Sequence, residues 1–548
     1  MKKSILLVLG LLFLMCVVLP CEARIIYVDQ DFSGVGDGSS WASPLPVLTF
    51  ALQQAREGDE IRVAAGVYVP VFNPILGSSF RIPSGVRLKG GYAGFQSENP
   101  DLRDFSRYAT VLSGDMLGND TVFQWIYPTD SLSTDPSSDM LDYVDRQDNV
   151  NTVVVIDEAD PNTLLSGVTI MSGHADGEAY EYDYTSSHER GGGLCIIKSS
   201  ATIEDCVLMR NLARDKGGAL YVFNGSPIIR RCTFSRNYCV DCGGAISLQG
   251  SGARIEACVF HDNITSNEGA GGAIHITNES TVIQGCTFRT NWSGKGGALA
   301  NMSSEIHLTV SDCLFSDNEV HTSGGALWHR SSKGDITYLN CLFLRNSVIY
   351  RDGGAGILYG SEASFINCVF NSNKCLGIGN GGALRSLDGA HVNVINCTFA
   401  NQAAEIGVDL AAGNEGEEIY SNFEIRNSIL YDAGEKAAET LDDISGLRMK
   451  YNNIMTTRAY NFYLDPQFVD PDGVDDIPGT EDDNFQLQNN SPCIDAGSND
   501  YVSEGEGLVD LAGAPRLQDH PYVYDVGFSD GRPVVDIGAY EFTFTRPE

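Results

Sequence analysis

Two groups of residues in this chain have types and spacings that could do chemistry. The first is acidic: Asp470-Pro471-Asp472-Gly473-Val474-Asp475-Asp476, followed by Glu481-Asp482-Asp483. Carboxylates around a turn glycine suit Ca²⁺, which takes roughly six to eight oxygen ligands. The spacing departs from an EF-hand loop, because Val474 occupies the third ligand place and no Glu closes the series. Asp470, Asp472, Asp475 and Asp476 therefore stand as a Ca²⁺ candidate against the plainer alternative of a solvated acidic loop. The second group is aromatic: Tyr180, Tyr182 and Tyr184 alternate with Glu181 and Asp183, and Tyr221, His275 and Trp328 follow at long intervals. Aromatic faces flanked by hydrogen-bonding groups suit sugar rings.

Other chemistries find less support. Cys239 and Cys242 have the spacing of a redox pair or half a metal site, but no second Cys-x-x-Cys accompanies them. The histidines are too scattered for a zinc site. No motif requires a cofactor, and no catalytic residues can be assigned.

What must position the aromatic group is a repeat. Gly-Gly recurs at Gly191, Gly217, Gly243, Gly271, Gly296, Gly324, Gly353 and Gly381, usually followed by Ala and then Leu or Ile. Within each interval stands Cys-x-Phe-x-x-Asn, as in Cys232/Phe234/Asn237, Cys258/Phe260/Asn263 and Cys286/Phe288/Asn291. The last copy, Cys397/Phe399, has its Asn one residue early, at Asn401. In one copy the pattern predicts strands over Ala219 to Phe223, around Ile228-Ile229, and over Cys232 to Phe234, with turns between. Three short strands per coil of this length, stacked copy on copy, predict an all-β, right-handed parallel β-helix.

Period-two alternation assigns the faces. The aliphatic residue after Gly-Gly-Ala, the residue three before Cys, and the Cys and Phe themselves should point inward. The outward position of the first strand then reads Cys195, Tyr221, Ser247, His275, Ala300, Trp328, Ile357 and Arg385. This row holds no carboxylate, whereas lyase chemistry on such a fold needs clustered carboxylates and hydrolysis needs a carboxylate pair. Acids in neighbouring turns, such as Asp317 and Asp352, could supply one, against the plainer alternative that each is a solvated charge. The row is expected to be an open floor overhung by the tyrosine-rich segment 172–190. Eight cysteines fall in the inward ladder, where they are expected to be free, buried thiols.

Beside this reading stand two resemblances. The paired Gly-Gly-Ala-[Ile/Leu] and Phe-x-x-Asn motifs over residues 190 to 402 resemble the repeats of chlamydial polymorphic outer membrane proteins, which are β-helical adhesins. Those adhesins end in an autotransporter barrel, and no run of alternating ten-residue strands precedes Glu548. Both ends resemble secreted bacterial β-helix proteins with a choice-of-anchor Q type C-terminal region. The N-terminal match is Ile26-Tyr27-Val28-Asp29 and Gly58-Asp59-Glu60-Ile61-Arg62-Val63. The C-terminal match is Ser491-Pro492-Cys493-Ile494-Asp495-Ala496-Gly497, Asp510-Leu511-Ala512-Gly513-Ala514-Pro515-Arg516 and Val535-Asp536-Ile537-Gly538-Ala539-Tyr540-Glu541-Phe542. These resemblances imply a secreted or surface protein whose tail serves in sorting, and carry no single activity.

Lys2 and Lys3, the apolar run from Ile5 to Pro20 and the small residue Ala23 have the layout of an export signal. The expected organisation is a signal peptide at 1–23, an N-terminal cap at 24–60 plugged by a helix from Leu48 to Arg56, and coils over 61–460. Insertions at 115–150 and 172–190 interrupt the coils, and an acidic, β-rich cap over 461–548 follows them. No second apolar stretch is long enough for a membrane helix. A net charge of −36 excludes nucleic acid and anionic membranes as partners. The expected function is extracellular recognition of a polysaccharide or surface partner, adhesin-like and not catalytic. A polysaccharide lyase or glycoside hydrolase is the first alternative, and a structural envelope protein the second.

Overall fold

A computed structural model describes residues 23–71, 78–120, 146–177, 189–277, 279–331, 333–413, 421–431, 437–440, 446–454, 461–502 and 508–544. One coil shows how the repeat folds. Leu220–Phe223, Ile228–Arg230, Thr233–Ser235 and Tyr238–Cys239 are successive short strands, each paired in parallel with its counterpart in the next coil. The first three are those expected, and the fourth was not foreseen. Stacking produces four parallel sheets. The first has twelve strands, from Phe80–Arg81 to Ala438–Thr440, and the second has fourteen, from Ile25–Val28 to Gly446–Lys450. The third has twelve, from Gly66–Tyr68 to Ile429–Leu430, and the fourth has eight, from His174–Ala175 to Lys374–Cys375. The molecule is a parallel β-helix. Among the described residues no helix is long and apolar enough to cross a membrane.

The repeat residues form ladders because parallel pairing in register places like beside like. Phe234, Phe260, Phe288, Phe315 and Phe343 are fully buried, with ring centroids 4.8 Å apart along the stack. Each Asn that follows is buried too. Asn263 Nδ2 donates to the Phe234 carbonyl at 2.9 Å and to Asn291 Oδ1 at 3.0 Å, so the amide answers backbone in one coil and its own counterpart in the next. The series ends on Gln402, not on Asn401. Asn401 takes the left-handed corner, φ 56°, that Arg345 and Asp317 hold in earlier coils, which leaves Gln402 in the Asn place. Its Oε1 accepts from Asn373 Nδ2 at 3.0 Å.

The cysteines are a thiol ladder in the same core. Thirteen described cysteines are unpaired and buried. The Cys258 N–H donates to Cys286 Sγ at 3.4 Å, and Ser428 takes over the acceptor's place opposite Cys397 at 3.1 Å. Cys375 pairs with Val348 in the fourth sheet, several coils from Cys239, which pairs with Thr265, so these thiols do not meet. The Gly-Gly turn is steric in origin. Gly243 has φ +69°, and a Cβ on Gly244 would lie 2.2 Å from the Gly272 carbonyl oxygen.

The two ends of the stack are built differently. Ile25–Val28 pairs with Glu60–Ala64, so the second sheet begins inside the segment read as a cap. The helix Leu48–Gln54 buries Leu48, Ala51 and Leu52 against the first coil. The C-terminal region has one two-stranded hairpin, Phe468–Asp470 with Asn484–Leu487, among its described residues. Rather than only closing the end, it folds back along the third sheet. Phe468, Phe485, Ile494 and Ile537 pack on Val369, Ala400 and Ile429, and Arg289 pairs with Glu481.

Phe288→Ala should open a cavity within an unbroken ring stack and destabilise the coils by about 3 to 5 kcal/mol. Denaturant unfolding monitored by circular dichroism reads this; an unchanged midpoint would contradict the inward ladder.

Candidate functional site

The outward row of the first sheet has the register expected of it. Cys195, Tyr221, Ser247 and His275 are paired in sequence, as are Ala300, Trp328, Ile357 and Arg385. Its exposure is the correction. Tyr221 is 0%, His275 3% and Trp328 6% exposed, so none of them offers a face to a ligand. The segment between the fourth sheet and each Gly-Gly bends back across this row, bridged from coil to coil through Lys216, Cys242 and Ala270. Cys242 and Ala270 pack with Ala300, Trp328 and Ile357. Arg190 and Lys295 cover the rings of Tyr221 and Trp328 at 5.6 and 5.9 Å, and Tyr221 donates its hydroxyl to Gln249 Oε1 at 2.9 Å. Tyr180, Tyr182 and Tyr184 lie outside the described residues.

The face that remains open is one step further along each strand. Period two makes the fourth strand residue the next outward position, giving Phe223, Gln249, Thr277, Met302, Arg330 and Tyr359, all at least partly exposed. Reading only the first outward position of the repeat missed this row, although the same alternation contains it. At its far end opens a groove of about 420 Å³ lined by Met302, Ser303, Arg330, Ser331, Tyr359 and Asp388. Met302 pairs with Arg330, and Arg330 with Tyr359, so their side chains stand side by side on successive coils. The Tyr359 ring leans on Trp328 with centroids 5.8 Å apart. Trp328 therefore serves the groove from beneath. The polar floor is tied down, since Ser331 Oγ donates to Ser361 Oγ at 3.2 Å and Ser361 Oγ to the Tyr359 carbonyl at 3.0 Å.

A second groove, of about 480 Å³, lies on the outer face of the second sheet near the N-terminal end. Glu57, Arg87, Asn162, Thr202, Glu204 and Arg230 line it. Burial alone would raise the Glu204 carboxyl. Bonds from Arg230 at 2.7 and 2.9 Å and from Arg231 at 3.1 Å outweigh that and hold it below its ordinary value. Such a group is a poor proton donor at neutral pH. Asp317 and Asp352 are committed as well. Asp317 takes both prongs of Arg345 at 2.7 and 2.8 Å; Asp352 lies 3.6 Å from Arg385 and accepts from Asn380.

In the acidic turn, burial and then the charges of Asp472 and Asp476 raise the Asp470 carboxyl above its ordinary value. Asp482 Oδ2 accepts from the Val474 and Asp475 backbone at 2.8 and 3.2 Å, and Asp475 Oδ1 from Ile477 at 2.9 Å. These acids cap turns. Among the described residues, the three carboxylates whose oxygens lie within 4.8 Å of one another are Asp495, Asp519 and Asp525. Asp470, Asp472, Asp475 and Asp476 are not among them.

The C-terminal motif residues come together as a clasp. Asp536 accepts from the Asp495 and Phe542 N–H groups, Glu541 from Asp536, and Asp510 from Glu541. Burial pushes the Asp536 carboxyl up to about 7 and the Glu541 carboxyl well above its usual range. The buried Arg516 donates to Asn367 Oδ1 at 2.8 Å and to the Gly538 carbonyl at 2.8 Å, fastening the region to a coil.

A family model described as a right-handed β-helix region matches residues 154–343. Among solved structures, a pectate lyase, Pel9A, is similar at 14% identity and TM-score 0.39, over 95% of this chain and 96% of its own. A lacto-N-biosidase from Eubacterium ramulus is similar at 12% identity and TM-score 0.33, over 80% of this chain and 68% of its own. Likeness at this level does not extend to activity. No curated protein matches the chain.

Two buried histidines make a pH prediction. Burial lowers His275 to about 4 and His329 to about 3, from an ordinary 6.5. Between these values the unfolded chain takes up protons that the folded one refuses. Their contribution to stability is therefore complete above pH 6.5 and falls as pH drops toward 4, by up to about 1.4 kcal/mol per pH unit for each histidine, while the raised Asp536 and Glu541 carboxyls act in the opposite sense. From pH 7.5 to 5, the denaturation midpoint of His275→Phe/His329→Leu should therefore rise relative to that of the wild type. Equal slopes would contradict the assignment.

Proposed function

We propose that the protein is a recognition β-helix, secreted or held at the outer cell surface, that binds a polysaccharide or glycosylated surface through the groove of Met302, Arg330, Tyr359 and Asp388. The observation that carries this reading is the groove itself, where three successive coils set a thioether, a guanidinium and an aromatic ring in one row, with a carboxylate beside them. A ring face stacks on the apolar face of a sugar while the charged groups bond its hydroxyls. Hydrogen-bonded strands beneath keep these groups in place without prior ordering, which favours binding. The net charge of −36 favours a neutral or cationic ligand over polygalacturonate and argues against nucleic acid. The export-signal pattern of residues 1–23 supports a location outside the cytoplasm.

The lyase or hydrolase alternative would work from the second groove. There Glu204 is held ionised by its arginines, and Glu57 is the other carboxylate lining the groove. An envelope scaffold would use neither groove.

The mature chain, begun at Arg24, should bind a subset of glycans on an array, and Tyr359→Ala/Arg330→Ala should lose that binding with the β circular dichroism intact. Binding retained by the double variant would overturn the assignment. A parallel assay for released saccharide distinguishes the alternative: release by the wild type that Glu57→Gln abolishes would replace recognition with catalysis.

A further inference from the structure

We propose that Asp495, Asp519 and Asp525 form a site for a hard divalent cation, Ca²⁺, on the C-terminal region. One carboxylate oxygen from each lies within 4.8 Å of the others. Two oxygens bound about 2.4 Å from a common ion can be no more than ~4.8 Å apart, so the trio is already at ligand spacing.

The independent observation is the state of Asp495. It is 0% exposed, and among the described residues its Oδ1 has no hydrogen-bond partner. Its Oδ2 accepts only a long bond, 3.4 Å, from the His520 N–H. A buried carboxylate with a bare oxygen is costly, and here two further carboxylates face it. Burial, and then the charges of Asp525 and Asp519, push the Asp495 carboxyl up to about 6, and no cationic side chain offsets them. Negative charge gathered in this way attracts a cation.

The backbone frames the same place. The carbonyl of Asp495 accepts from Val526 at 3.0 Å and Gly527 at 3.1 Å, and its N–H donates to Asp536 Oδ1 at 2.7 Å. The chain from 519 to 525 is thus looped over Asp495, with a carboxylate at each end. An all-oxygen set on a short loop, completed by water, suits Ca²⁺ better than a softer metal. A bound ion would pin both ends of the loop that carries Tyr522 and Tyr524, which are 78% and 90% exposed. In the turn at 470–483, by contrast, Asp475 and Asp482 accept backbone N–H groups of the turn itself.

The test is calorimetric titration of the full chain with calcium chloride after dialysis against chelator. The wild type should give a saturable single-site isotherm. Asp519→Asn/Asp525→Asn, at two exposed positions, should give no heat, while Asp472→Ala/Asp475→Ala should titrate as the wild type does. No binding by the wild type, unchanged binding by the Asp519/Asp525 variant, or loss of binding in the Asp472/Asp475 variant would each overturn the site. Melting curves in chelator, matched between variants and wild type, secure that the variants are folded.

Discussion

A chain wound in strands of three or four residues has no partner for its backbone N–H and C=O groups except the next turn of the same chain. Every coil between the two ends is therefore hydrogen-bonded on both sides, and like positions are forced into register about 4.8 Å apart. All the ladders follow from this spacing. Phenylalanine rings stack face to face at that distance, the Asn amide spans it from coil to coil, and the thiols accept N–H groups across it. A residue that breaks the series is tolerated only where another of suitable reach takes over, as Gln402 and Ser428 do.

The same constraint leaves the two ends exposed, where apolar core and unpaired strand edges would meet water. At one end a short amphipathic helix covers the first coil. At the other the solution is indirect. The C-terminal region reaches back along the third sheet, held by Arg516 to Asn367 and by a paired exchange between Asn427 and Ser498. The buried acids of the clasp accept backbone N–H groups and so fix turns that no sheet supports. One consequence is that Asp495 is brought beneath a loop with two further acids.

Where binding can occur is decided by what is left uncovered. The outward row of the first sheet is packed under the returning segments, so its aromatic residues are buried. Tyr359 and Arg330, one alternation further on, reach the rim, and Trp328 supports Tyr359 from below. A rigid floor with a few projecting groups is the general form of a preorganised site.

The sequence by itself determined the parallel β-helix, its period and the identity of its inward ladders, because each depends on local alternation repeated many times. It also located the glycine turns, since no side chain fits between Gly244 and the carbonyl of Gly272. What it could not determine was exposure. Whether Tyr221, His275 and Trp328 face water depends on how the segments through Lys216, Cys242 and Ala270 fold over them, and those segments carry no motif of their own. The fourth sheet escaped for the same reason, being only two residues wide in most coils. The acidic turn at 470–476 reads as a cation loop in one dimension, and in the fold Asp475 and the nearby Asp482 accept backbone N–H groups of the same turn. Asp495, Asp519 and Asp525 are spread over thirty residues and converge only in the folded chain, because the backbone bonds from Val526 and Gly527 to Asp495 draw the loop over it.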